Sequence, residues 1–129
     1  MERVLTLPPQ DTYLNPEFET DELDFEQGLK FYGSNMTLYK SALRAYIREI
    51  RLLLGAIENV SQKSLNAYKY IIGCIKNASN DVVASRIMIM ADYLENAALE
   101  DDLEYIKTHN PVFIASTKHF LTKLDTMLL

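Results

Sequence analysis

From Asp24 to Leu128 the apolar residues recur every three or four positions, the period of an α-helix that buries one side. Asp24 caps a short helix over DFEQGLKFYG, which Gly33 ends as a C-terminal cap. Ser34 or Asn35 caps the next helix, running to about Asn59, with Leu38, Ala42, Leu43, Ile47, Ile50 and Leu54 as its apolar stripe. Ser61 starts a third, of about 18 residues, with Leu65, Tyr68, Ile72, Ile75 and Ser79 on one line. Asn80 or Asp81 caps a fourth, carrying Val83, Ile87, Met90, Ala91, Leu94 and Ala98. Asp101 begins the fifth, with Leu103, Ile106, Phe113, Thr117, Phe120, Leu124 and Leu128 facing inward. Pro111 predicts a kink there, or a restart with Asn110 as the cap, because proline removes a backbone donor and crowds the preceding turn.

Long helices joined by short connections pack antiparallel with their chain neighbours. The predicted fold class is all-α: an up-down antiparallel four-helix bundle over residues 23–129, preceded by one short helix. Residues 1–22 read as an acidic, irregular leader or linker, since Pro8-Pro9 and Asn15-Pro16 break regular structure.

Charge sharpens that division. The net charge of −5 is concentrated at the start, where residues 1–26 hold eight acids against the single base Arg3. The remainder carries ten acids against twelve bases, with no dense basic patch of the kind that phosphate contacts need, so no nucleic-acid partner is expected. Arg44, Arg48 and Arg51 recur along one helix face and read as solvated, with Glu49 and Glu58 nearby. No apolar run reaches about 18 residues, so no membrane span is expected. The start lacks a secretory h-region, and the lone Cys74 cannot form an internal disulfide, which together imply a cytoplasmic protein. The sequons at Asn35, Asn59 and Asn77 are then chance matches.

Residues 24–47, DFEQGLKFYGSNMTLYKSALRAYI, resemble the first segment of the histidine-containing phosphotransfer (HPt) domains of two-component phosphorelays. In that family "GL-x-x-x-G-G-(D/N)" precedes "-LY-x-x-x-L-x-x-(F/Y)", matched here by Gly28, Leu29, Gly33, Asn35, Leu38, Tyr39, Leu43 and Tyr46. A second family segment, H-x-(L/I)-K-G-(A/S)-(A/S), resembles GCIKNAS and is followed by a helix ending "A-x-x-LE". Without a gap, Ile75, Lys76, Ala78-Ser79, Ala91 and Leu94-Glu95 fall on the motif positions. The phosphoacceptor histidine falls on Gly73 and the motif glycine on Asn77. Shifting the register by four residues puts Lys69 at the acceptor position and forfeits Lys76, so neither register supplies a histidine.

The resemblance implies a degenerate HPt module, not an enzyme, with no catalytic residue, metal or cofactor. Phosphoryl transfer through such a domain needs a nucleophilic imidazole nitrogen, and Gly73 has no side chain. Lys76 would steady phosphoryl oxygens and stays protonated near neutral pH, so it is no acceptor. A glycine inside a helix also costs roughly 1 kcal/mol relative to alanine, so Gly73 looks neither useful nor stabilising. His109 and His119 lack the motif around them and read as structural; Cys74 reads as an inert thiol, and Asp92 and Glu95 as exposed helix polars.

By resemblance, the docking face for a receiver (response-regulator) domain or a histidine kinase comprises Tyr70, Gly73, Lys76 and Asn77, with neighbours from the 35–59 helix. Tyr32, Tyr39, Tyr46 and Tyr105 add to the interface-prone tyrosines, although their spacing favours packing. The alternative expectation is a structural bundle that forms homo-oligomers and has no phosphorelay role, because a fold does not dictate function.

Overall fold

The computed structural model describes residues 23–129; the expected leader, 1–22, lies outside them. Five helices follow in order: α1 (Phe25–Phe31), α2 (Met36–Gly55), α3 (Leu65–Asp81), α4 (Ser85–Leu99) and α5 (Leu103–Met127). Helix α2 packs on α3 and α5, and α4 packs on the same two, so the long helices close a ring in chain order. The result is the expected up-down antiparallel four-helix bundle, with α1 laid against α2.

Local chemistry sets most of the helix ends. The Asp24 side chain accepts from the Gln27 N–H, capping α1. The N–H of Gly33, at φ +67, donates to Lys30 and that of Ser34 to Leu29, the paired bonds of a Schellman ending. Asn35 caps α2 through the Leu38 N–H, and Asp102, one residue later than expected, caps α5 through the Tyr105 N–H.

Four expectations need correction. Helix α2 ends at Gly55, not near Asn59, and Ile57 beyond it tucks fully into the core. Helix α3 begins at Leu65, because Ser61 and Ser64 form a turn in which the Ser61 N–H donates to Ser64 Oγ at 2.9 Å. Neither Asn80 nor Asp81 caps α4; both belong to α3, and the N-cap of α4 is Ala84, with no side-chain bond. Pro111 lies inside one continuous helix, and Asn110 is no cap. Its buried side chain donates to the Ile57 carbonyl at 2.7 Å and accepts from the Tyr68 hydroxyl at 2.8 Å.

The buried stripe of α2 also differs from its expected register. Leu38 is half exposed, whereas Tyr39 and Tyr46 are buried beside Leu43, Ile47, Ile50 and Leu54. Both tyrosines can be buried because their hydroxyls find partners. Tyr46 pairs with Ser79 Oγ at 2.7 Å, and Tyr39 donates to the Val82 carbonyl at 2.8 Å. On α3 the expected line of Leu65, Tyr68, Ile72, Ile75 and Ser79 is buried throughout.

The turn between α3 and α4 is held from outside itself. Tyr32 Oη donates to the Asp81 carbonyl, Tyr39 Oη to that of Val82, and the Asp24 N–H to that of Val83. Val83 sits at φ +61, a left-handed conformation costly for a β-branched residue. Three consecutive carbonyls bound by α1 and α2 hold it there. Gly28 makes that arrangement possible: a Cβ on it would fall onto the Tyr39 hydroxyl and ring.

Candidate functional site

Val82 to Ala84 link α3 to α4, so residues at similar distances before and after the turn face each other across the two helices. Gly73 and Glu95 form one facing pair, Lys76 and Asp92 another; both are symmetric about Ala84, the α4 end of the link. Lys76 Nζ lies 2.6 Å from Glu95 Oε1 and 3.4 Å from Asp92 Oδ1. Asn96 Nδ2 reaches Asp92 Oδ2 at 3.5 Å from one turn further along α4. All three charged side chains are partly shielded, Glu95 most, at 23% exposure.

Electrostatics follow from this arrangement. The hydrogen bond that Lys76 donates to Glu95 raises the Lys76 pKa, and burial opposes it; the charge of Glu95 and then the bond to Asp92 and its charge raise it further. The ammonium is therefore fixed as a cation with two carboxylates against it. Its hydrogen-bonding directions are turned toward α4, and the cluster carries one net negative charge.

Gly73 has a definite role beside it. A Cβ built on Gly73 would meet Glu95 Oε2 at 2.9 Å, tighter than real Cβ contacts allow. The missing side chain gives the Glu95 carboxylate room to lie over the helix and reach Lys76. Glu95, shielded and bonded to Lys76, is thus more than the exposed helix polar expected of it.

The four residues expected on the docking face do not all point alike. Tyr70 is 73% exposed and Asn77, about two turns further along α3, is exposed too, with Cys74 half-buried between them. Gly73 and Lys76 are engaged with α4. His109 is exposed on α5 with its ring against Tyr105, centroids 4.1 Å apart. His119, also exposed on α5, lines a separate cleft with Arg86.

The arginines of α2 do more than meet solvent. Arg44 donates to the Leu128 carbonyl and Arg51 to Asp125 Oδ2, each at 2.9 Å, so they fasten the end of α5. Among the described residues, no group of three or more His, Cys, Asp and Glu side chains is gathered as metal ligands would be. Among the same residues, no helix is long and apolar enough to cross a membrane.

Fold and site together define an all-α bundle with one half-buried ion-pair cluster between α3 and α4. No protein-family model, curated protein or solved structure matches the chain.

Proposed function

We propose that the protein is an HPt-like signalling module that docks a receiver or histidine kinase domain without carrying phosphate. The observation that carries this reading is the pairing of Gly73 with Glu95. At the position that the sequence resemblance assigns to the phosphoacceptor there is no nucleophile, and a carboxylate lies within 2.9 Å of where its Cβ would stand. Lys76, the residue the resemblance assigns to phosphoryl oxygens, has carboxylate oxygens as its ligands instead. A second anion brought there would meet repulsion from Glu95 and Asp92. The exposed Tyr70 and Asn77 remain for a partner, an aromatic anchor beside a polar rim.

The test is direct binding of the chain to a panel of receiver domains, by calorimetry, with Tyr70→Ala and Asn77→Arg in parallel. The reading predicts that at least one receiver binds and that both substitutions weaken it by tenfold or more. Self-association with no receiver affinity would instead favour the structural bundle.

A further inference from the structure

On another side of α4, its first turns and the middle of α5 border a cleft of about 280 Å³ lined by Arg86, Ile87, Met90, Ala115, Ser116 and His119. The division of chemistry within it is sharp. Met90 and Ala115 supply an apolar wall, backed by the fully buried Ile87. Arg86, Ser116 and His119 supply a guanidinium, a hydroxyl and an imidazole, all capable of donating hydrogen bonds. Among the described residues, no carboxylate lines the cleft.

Helical spacing brings these groups together: Ser116 and His119 are three apart on α5, and Arg86 and Met90 four apart on α4. Arg86 is only partly exposed and its Nε is buried, so the stem is held by packing. A guanidinium has five N–H donors in a rigid fork, enough to keep contacts elsewhere and still present a pair to a ligand.

We propose that this cleft binds a small organic anion, a carboxylate or phosphate monoester with a short apolar body. The anion would lie across Arg86, Ser116 and His119, and its body against Met90, Ala115 and Ile87. A water occupies roughly 30 Å³ of liquid, so the volume suits a ligand of about eight to ten heavy atoms. It lies at the lower edge of the range for small-molecule sites, which points to a fragment-sized ligand with a Kd on the order of 1 mM. The site is independent of the phosphorelay reading, since none of its residues belongs to the α3 face.

The experiment is an NMR titration of the full chain with benzoate, inorganic phosphate and neutral benzamide in separate arms, following the His119 ring and the Ser116 amide. Benzoate should give saturable shifts, weakened at least tenfold in Arg86→Gln and less in Arg86→Lys, which keeps the charge and loses the fork. His109→Ala, on another part of α5, should leave them unchanged. Saturation by phosphate as well would mean that the donors suffice without the apolar wall, and would support the site. Equal binding of benzamide would overturn the proposal. So would unchanged affinity in a folded Arg86→Gln chain, or no saturation by benzoate or phosphate up to about 20 mM, well above the expected Kd.

Discussion

Gly73 and Glu95 face each other across the α3–α4 interface: a Cβ on Gly73 would stand 2.9 Å from Glu95 Oε2, while the other oxygen of that carboxylate bonds Lys76 at 2.6 Å. The coupling can be measured. Replacing an interior helical glycine by alanine ordinarily gains about 1 kcal/mol. In this chain Gly73→Ala should gain far less, because the new Cβ pushes Glu95 off Lys76. In a Glu95→Ala background the full gain should return. Urea unfolding of the four chains of this cycle checks it, and equal gains in both backgrounds would contradict it.

A second prediction concerns Val83. Its φ of +61 is held by bonds to three successive carbonyls from α1 and α2. Val83→Gly relieves a left-handed β-branched residue, worth roughly 1–2 kcal/mol, against some loss of side-chain packing and added freedom in the unfolded chain. A net stabilisation of about 0.5–1 kcal/mol is expected in thermal unfolding. Val83→Pro, whose ring enforces negative φ, should be strongly destabilising.

Asn110 gives a third. Its side chain satisfies both the Ile57 carbonyl and the Tyr68 hydroxyl in the core. Asn110→Ala leaves two buried polar groups without partners and should cost about 2–4 kcal/mol. Tyr68→Phe, which orphans only the Asn110 acceptor, should cost about half as much. Comparable losses would argue against the two-bond arrangement.

The fourth is a pH dependence. Burial raises the pKa of Tyr46 and of Tyr68 well above the ordinary value of 10.0; a bond to Ser79 slightly offsets it for Tyr46, and Tyr105 adds to it for Tyr68. Each tyrosine is therefore harder to ionise folded than unfolded. Above about pH 10 the unfolded chain releases these protons first, and stability falls as pH rises toward the folded values. Lys76 is raised too, by its bond to Glu95, and adds to the loss in the same direction. Alkaline unfolding followed by circular dichroism should show the decline, with a shallower slope in Tyr46→Phe.

The architecture was legible in the sequence because it rests on periodicity. On α3 the spacing of Leu65, Tyr68, Ile72, Ile75 and Ser79 places every one of them in the core. What escaped depends on long-range partners. Tyr39 displaces Leu38 from the core of α2 because the Val82 carbonyl, 43 residues away, takes its hydroxyl proton. The start of α4 has no capping side chain to read, since its preceding turn is fixed by α1 and α2. Glu95 escaped for a similar reason. Its contact with Lys76 follows from the three-residue length of the Val82–Ala84 link, which sets the register between helices and leaves no local mark on α4. The Asp92–Glu95 spacing, with a lysine at a comparable distance on the other side of the turn, is the one signal that pointed to it.

We propose that the α3 face engages a phosphorelay partner without accepting its phosphate. The most direct test is phosphoryl transfer from a labelled phospho-receiver of the same organism to three chains: the natural one, Gly73→His, and Gly73→His with Glu95→Ala. The natural chain should take no label. The double variant should gain acid-labile label, and the single variant less, because its imidazole must displace the Glu95 carboxylate. Label on the natural chain, which would direct attention to His109 and His119, would contradict the account, as would failure of both histidine variants to accept phosphate from any receiver.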